Sequence, residues 1–86
     1  MPLDYSPYVR HEVYLQLKNV PRMQRERVMR FMEALAKDPY QTGDYQDRTP
    51  EGREIQIKLI GSYAILFWAD HAVREMKIVD FEKADA

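Results

Sequence analysis

The feature that most constrains the fold of this chain is a series of three apolar, strand-like segments separated by short turn signals. Residues 52–81 read GREIQIKLIGSYAILFWADHAVREMKIVDF and contain no proline. Ile55, Ile57 and Leu59 alternate with polar residues, which is typical of a strand with one buried and one open face. Gly-Ser and Asp-His dipeptides stand where the chain would reverse direction. The pattern predicts consecutive antiparallel strands.

The first turn also predicts how the strands are paired. A tight, glycine-first turn at Gly61 would place Leu59 opposite Ala64 and Ile57 opposite Leu66. We expect a core face under the helices that carries Ile55, Ile57, Leu59, Leu66 and Trp68. The opposite, open face would then carry Gln56, Lys58, Tyr63, Ile65 and Phe67.

A helical pattern precedes the strands. Residues 21–37 begin with Pro21, which is tolerated in a first helical turn, and end before Pro39, because proline disfavours a helical conformation in the residue before it. Their apolar side chains recur at helical spacing and form one stripe, made of Val28, Phe31, Met32 and Leu35.

Three weaker segments complete the prediction. Residues 3–9 contain Pro7, so a strand there would lie at a sheet edge or bend. Residues 11–17 fit both strand alternation and helical spacing, and we favour a short helix. The polar, acidic stretch that follows Pro39 predicts a loop with a brief strand around Tyr45.

Length and composition indicate a single domain, residues 1–86. Apolar residues make up 45% of the sequence, which is enough for one small core. The chain has no cysteine, so disulfides and thiolate metal sites are excluded. It shows no apolar run long enough for a membrane span and no apolar segment of a signal peptide at its start. We therefore expect a cytoplasmic protein that does not interact with a membrane.

Charge is distributed unevenly along the chain, although the net charge is only −1. Residues 10–37 hold seven basic and three acidic side chains, whereas residues 38–86 hold six basic and ten acidic ones. Any binding site for a polyanion should draw on the first half, with Arg22, Arg25 and Arg30 on phosphates. The alternative is a solvated helix face whose charge is balanced elsewhere.

Catalytic and cofactor motifs are mostly absent from the sequence. His11 and His71 are 60 residues apart, and neither has a second histidine or a carboxylate at metal-ligand spacing. There is no glycine-rich phosphate loop and no nucleophile elbow. We expect no cofactor and no metal, and we expect Trp68 to serve the core.

The order of these segments resembles the RelE/ParE superfamily of bacterial toxin–antitoxin systems. The resemblance is carried by the helix end RFMEALAKDP, the hairpin GREIQIKLIGSYAILFWAD and the last strand KIVDF. It implies an α+β fold in which two N-terminal helices pack on one face of a small twisted antiparallel sheet. It also implies a cognate antitoxin as the partner.

The resemblance implies two alternative activities, because members of the superfamily act in different ways. RelE-like members cleave mRNA on the ribosome with basic and tyrosine residues, whereas ParE-like members inhibit gyrase through protein contacts. By resemblance, Lys58, Tyr63 and Lys83 are the catalytic candidates and Arg53 is a phosphate-binding candidate. Ala64, however, stands where the family commonly has an arginine, and an alanine cannot hold a phosphate.

The sequence therefore predicts a toxin-family protein that binds an antitoxin and has a degraded catalytic set for mRNA cleavage. The alternatives are a gyrase-type inhibitor, and an interaction module that binds a protein or a second copy of itself through Tyr63, Ile65 and Phe67 of the open face.

Overall fold

Two helices and a five-stranded sheet make up the fold in the computed structural model, which describes residues 4–84. In chain order the elements are β1 (Ser6–Val9), α1 (His11–Leu17), α2 (Arg22–Lys37), β2 (Tyr45–Arg48), β3 (Glu54–Ile60), β4 (Tyr63–Asp70) and β5 (Glu75–Lys83). The predicted α+β class, the short first helix, the long second helix and the brief strand at Tyr45 are confirmed.

The sheet is mixed, with strand order β1-β5-β4-β3-β2. β2, β3, β4 and β5 pair antiparallel in sequence, whereas β1 pairs parallel with β5. The prediction of a wholly antiparallel sheet was therefore wrong at one edge. β1 has only four residues and contains Pro7, so its sequence does not indicate its direction in the sheet. The long connection between β1 and β5 includes both helices, which allows the two strands to pair parallel.

The predicted turn at Gly61 and the predicted hairpin register are confirmed. A further turn precedes β3, where the Gly52 N–H donates to the Thr49 carbonyl at 2.8 Å. Gly61 has a φ of 58°, a conformation that glycine adopts without steric cost. Across the β3–β4 hairpin, Leu59 lies opposite Ala64 and Ile57 opposite Leu66.

The predicted assignment of the two sheet faces was wrong. Ile65 and Phe67 are fully buried, and the Phe67 ring packs edge-on against Phe31 of α2 with the ring centroids 5.5 Å apart. Leu59, predicted to be buried, is exposed. We call the side of the sheet that carries Ile65 and Phe67 the core face, and the opposite side the second face. The second face carries Ile55, Ile57, Leu59, Leu66 and Trp68, and of these Ile55 is buried, as predicted.

The error has a physical origin in β4. This strand is apolar on both sides, so its alternation shows which side chains share a face but not which face the core takes. The exposed interaction patch predicted at Tyr63, Ile65 and Phe67 is not exposed, because Tyr63 packs against the core and the other two are buried.

An irregularity in the β4–β5 pairing lets β5 keep its apolar residues on one side. Leu66 lies opposite Asp80, but the next residue, Phe67, lies opposite Ile78. The extra residue on β5 shifts the alternation, as a β-bulge does. Ile78 and Phe81, three positions apart, are therefore both buried in the core.

One hydrophobic core cluster contains residues of both helices and of the sheet. The predicted α2 stripe is buried and meets Val13 and Leu17 of α1. Each fully buried aliphatic or aromatic side chain contributes about 1.5–3 kcal/mol relative to its exposed state. Among residues 4–84, no helix is both long and apolar enough to cross a membrane.

Candidate functional site

Lys58, the first catalytic candidate, lies on the core face at its outer margin. Its register partner across the hairpin is the buried Ile65. Its ammonium lies 3.6 Å from Asp44 Oδ1, and the other carboxylate oxygen of Asp44 accepts the Leu59 N–H at 2.9 Å. The loop before β2 thus supplies the carboxylate of a partly exposed ion pair with Lys58.

Tyr63 and Lys83 are brought together by the sheet. They are register partners in the β4–β5 pair. The Tyr63 ring is stacked on Phe81, with centroids 5.0 Å apart and planes at 13°. Both line a groove of about 390 Å³ whose other wall, formed at the end of α1, includes Gln16 and Asn19.

Arg53 lies on the second face, away from the other candidates. It precedes β3, and its guanidinium carbon stands 3.7 Å from the centre of the Trp68 ring. The two side chains line a groove of about 330 Å³ together with Arg10. Sequence reasoning assigned Trp68 to the core and gave Arg10 no role, because no local pattern joins residues from β4 and from the start of α1.

The three α2 arginines predicted to contact phosphates, Arg22, Arg25 and Arg30, are not equivalent. Arg22 is engaged with Glu26, with Nε and Oε1 3.3 Å apart. Arg30 is exposed beside Glu33. Arg25 is half-buried and lines an apolar cleft between α1 and α2. The helix therefore offers separate cations rather than one phosphate cradle.

The cleft between the helices, which we call the helix cleft, combines apolar walls with a basic rim. Tyr14 and Met29 are half-exposed on its sides. Lys18 and Arg25 supply the cations, and Lys18 lies over the Tyr14 ring at 5.5 Å. The remaining apolar lining is formed by Val9, Leu17 and Met32.

Two charged groups have displaced pKa values. A hydrogen bond to Glu75, at 2.7 Å between Nζ and Oε1, raises the pKa of Lys77, and the charges of Glu75 and Asp70 add to this effect. Hydrogen bonds from its own backbone N–H and from Thr49 lower the pKa of Glu51. Neither group adjoins Lys58, Tyr63 or Lys83, so these shifts identify no general acid or base among the candidates.

The predicted site residues thus fall into separate regions. Tyr63 and Lys83 are register partners, and Lys58 is paired with Asp44. Arg53 lies on the second face, against Trp68. The candidate arginines of α2 lie on that helix, apart from the other candidates. No group of three or more histidine, cysteine or acidic side chains within residues 4–84 is arranged to hold a metal ion.

Comparison with known proteins gives a likeness in structure. No protein-family model and no curated protein matches the chain. A chain of the archaeal RelE–RelB complex from Pyrococcus horikoshii OT3 has a TM-score of 0.79 and 14% sequence identity, and the match covers 94% of this chain and 96% of that one.

A second solved structure agrees with the first. A chain of the toxin–antitoxin complex RelBE2 from Mycobacterium tuberculosis has a TM-score of 0.76 and 17% identity, with coverage of 93% of this chain and 98% of that one. The chain therefore has a RelE-like fold over nearly its whole length, as the resemblance implied.

Proposed function

We propose that this chain is a divergent toxin-type protein whose principal activity is to bind a cognate antitoxin. The observation that carries the proposal is the RelE-like fold, shared over more than nine-tenths of the chain with proteins whose structures were solved as toxin–antitoxin complexes. In this proposal both helices lie on the core face of the sheet. The common cluster of Val13, Phe31 and Phe67 supports that arrangement.

The helix cleft is the surface that we assign to the antitoxin. Tyr14 and Met29, which line this cleft, are 56% and 51% exposed, so a partner that packs there would bury apolar surface of both. The basic rim of Lys18 and Arg25 favours acidic residues in that partner. An amphipathic helix with one apolar and one acidic face matches both features.

A co-purification experiment tests the assignment. The chain is produced together with the product of the adjacent reading frame, and the affinity of the pair is measured by calorimetry. Met29→Glu should weaken binding by roughly tenfold or more, because it places a charge at the centre of an apolar contact. Met23→Glu is the matched control, since Met23 is 79% exposed and lies outside the cleft lining.

Two outcomes would contradict the proposal. The first is that no complex forms with the neighbouring product. The second is that Met23→Glu and Met29→Glu weaken the complex equally, which would place the interface elsewhere on the molecule. Light scattering of the isolated chain serves as a further measurement, because a stable homodimer through the helix cleft would bury the same residues.

A second candidate function is translation inhibition by ribosome-dependent cleavage of mRNA, and we propose that its catalytic set is degraded. Metal-free phosphoryl transfer requires several positive groups close to the reacting phosphate. Here Lys58 is held by Asp44, and Ala64 offers no charge. Among the candidate cations Lys58, Arg53 and Lys83, Lys83 alone is a register partner of Tyr63.

Induced expression tests this second candidate. We expect translated messages to remain intact when the wild-type chain is produced, and Lys58→Ala to behave in the same way. Fragmented messages with the wild type that disappear in Lys58→Ala, but persist in Lys37→Ala, would show that the set is functional. Slow growth with intact messages would point instead to a protein target such as gyrase.

A further inference from the structure

The chain carries sulfur only in methionine, and its methionines differ in burial. It has five methionines and no cysteine, so thioethers are its only sulfur groups open to oxidation. Within residues 4–84, Met32 and Met76 are buried, whereas Met23 and Met29 are exposed. Oxidation of a side-chain sulfur depends on its access to the oxidant. A mild oxidant should therefore modify Met23 and Met29 first.

Met29 differs from Met23 in that it lines the helix cleft. Arg25, which also lines the cleft, precedes Met29 by four residues on α2, so the two side chains are neighbours on the helix surface. On its other side Met29 borders a shallow hollow together with Glu26 and Arg30. The Met29 side chain is thus open to solvent although it forms part of an apolar wall.

Oxidation by a peroxide changes the chemistry of such a wall. A lone pair of the thioether sulfur attacks one peroxide oxygen, and an S–O bond forms as the O–O bond breaks. The departing hydroxide takes the proton of the transferred oxygen and becomes water. The sulfur loses two electrons, which reduce the peroxide. The product is a sulfoxide, a polar group with an acceptor oxygen in place of an apolar thioether.

We propose that Met29 is a reversible oxidation site that controls binding at the helix cleft, where its sulfoxide weakens the grip on the antitoxin. This inference rests on the proposed antitoxin interface. An apolar partner surface would remove the sulfoxide oxygen from water without replacing its hydrogen bonds, which costs roughly tenfold in affinity. The same oxygen can accept a hydrogen bond from Arg25, which then competes with the acidic groups of the partner.

The free chain should tolerate this modification. Met29 is half-exposed, so water can solvate the sulfoxide oxygen without entry into the core. Met32, three residues further along α2, is buried in the core cluster, and oxidation there would place the same polar group among apolar side chains. Methionine sulfoxide reductases reverse the reaction. Oxidation of Met29 should therefore alter binding while the fold persists.

The first experiment treats the isolated full chain with hydrogen peroxide. Cleavage after lysine and arginine leaves Met23, Met29, Met32 and Met76 on four separate peptides, so mass spectrometry follows each sulfoxide. We expect Met23 and Met29 to be oxidised at least about tenfold faster than the two buried methionines, with little change in thermal unfolding. Oxidation of Met29 as slow as that of Met32 would overturn the proposal.

The second experiment measures binding before and after oxidation. Peroxide is removed before the chain meets the product of the adjacent reading frame, so only one partner is oxidised. The ratio of the two affinities is determined by calorimetry within each variant, which cancels the effect of the substitution itself. The wild type and Met23→Leu should lose about tenfold on oxidation, whereas Met29→Leu, which has no thioether there, should lose nothing. Sulfoxide reductase should restore the wild-type affinity.

The outcomes separate this inference from the proposed interface. If a complex forms but the oxidised and reduced wild type bind equally, the inference is overturned and the proposed function stands. An equal loss in Met29→Leu and the wild type would place the effect at another methionine and would also overturn the inference. If no complex forms, the proposed function fails and the inference fails with it.

Oxidation of the assembled complex supplies an independent check. We expect Met29 to react more slowly in the complex than in the free chain, because the partner covers it, whereas Met23 should react at the same rate in both. Equal rates for Met29 in the two states would mean that the partner lies elsewhere, and would overturn both the interface and the inference.

Discussion

At the scale of single residues, Leu66 and Phe67 show how adjacent side chains in one strand have different roles. Phe67 is fully buried against Phe31, whereas Leu66 is only partly buried, on the second face. We expect Phe67→Ala to lower the free energy of unfolding by about 3–5 kcal/mol, and Leu66→Ala to cost no more than about half as much. Urea unfolding of the two variants measures both. If Leu66→Ala lowered the free energy of unfolding more than Phe67→Ala, the core would lie on the second face, as the sequence analysis predicted.

Lys77 provides a test of pH dependence at the same scale. Its pKa is raised above 10.5, first by the hydrogen bond to Glu75 and then by the charges of Glu75 and Asp70. A raised pKa in the folded state means that the stabilisation is complete below the ordinary pKa of lysine and is lost as pH rises through the folded value.

The expected consequence concerns the difference between two variants. Lys77→Met should be less stable than the wild type near neutral pH, and this difference should shrink as pH rises above 10.5. Glu75→Gln removes the main cause of the shift, so Lys77 in that variant should titrate at a lower pH by NMR. An unchanged titration in Glu75→Gln would mean that the hydrogen bond does not form in solution.

At the scale of whole elements, local sequence patterns predicted the secondary structure of each segment better than its position and direction in the fold. The stripe of α2 and the Gly61 turn are properties of neighbouring residues, and both were predicted correctly. The direction of β1 and the choice of core face depend on contacts between segments far apart in the chain. The β-bulge opposite Leu66 likewise has no signature in the sequence of β5.

The attachment of β2 to β3 depends on a close approach at Gly43. A Cβ at this position would lie 2.5 Å from the Ile57 carbonyl oxygen, and no real Cβ comes so close to a backbone atom. The next residue, Asp44, donates its N–H to the same carbonyl at 2.8 Å. We expect Gly43→Ala to destabilise the protein by about 1–3 kcal/mol, because β2 must move away from β3.

Gly61 supplies the control for this prediction. It needs glycine for its positive φ rather than for space, since its nearest neighbours are side-chain atoms 3.6–3.7 Å away. Asparagine tolerates this conformation, so Gly61→Asn should cost less than about 1 kcal/mol. Gly43→Asn should remain at least as damaging as Gly43→Ala in thermal unfolding. Equal effects of asparagine at the two positions would contradict the steric explanation.

At the scale of the whole molecule, the candidate sites arise from residues that the sequence keeps apart. The Arg53–Trp68 groove gains its second cation from Arg10, which only the parallel pairing of β1 with β5 brings to the second face. Sequence reasoning placed Lys58 and Tyr63 on an open face because it had no means to choose between the two sides of β4. Chemistry-bearing residues could be named from the sequence, but their grouping required the fold.

His71 contacts residues from two segments that are distant in the sequence, and its substitution tests how much these contacts stabilise the fold. Its Nδ1 lies 2.6 Å from the Tyr5 hydroxyl, and its ring is stacked on Tyr40 with centroids 5.1 Å apart. The start of the chain, the loop after α2 and the β4–β5 turn thus meet at one imidazole. We expect His71→Ala to cost about 1 kcal/mol, the usual net value of one hydrogen bond, with a further loss from the stacked ring.

His11→Ala is the matched control, because His11 is exposed in the first turn of α1. A loss of about 1 kcal/mol lowers the melting temperature of a domain of this size by roughly 4–8 °C, which thermal unfolding resolves. Tyr5→Phe keeps the edge-on ring contact and removes only the hydroxyl, so it should be less costly than His71→Ala. In the double variant the two losses should be smaller than their sum, because both remove the same hydrogen bond. Additive losses would mean that Tyr5 and His71 stabilise the molecule independently.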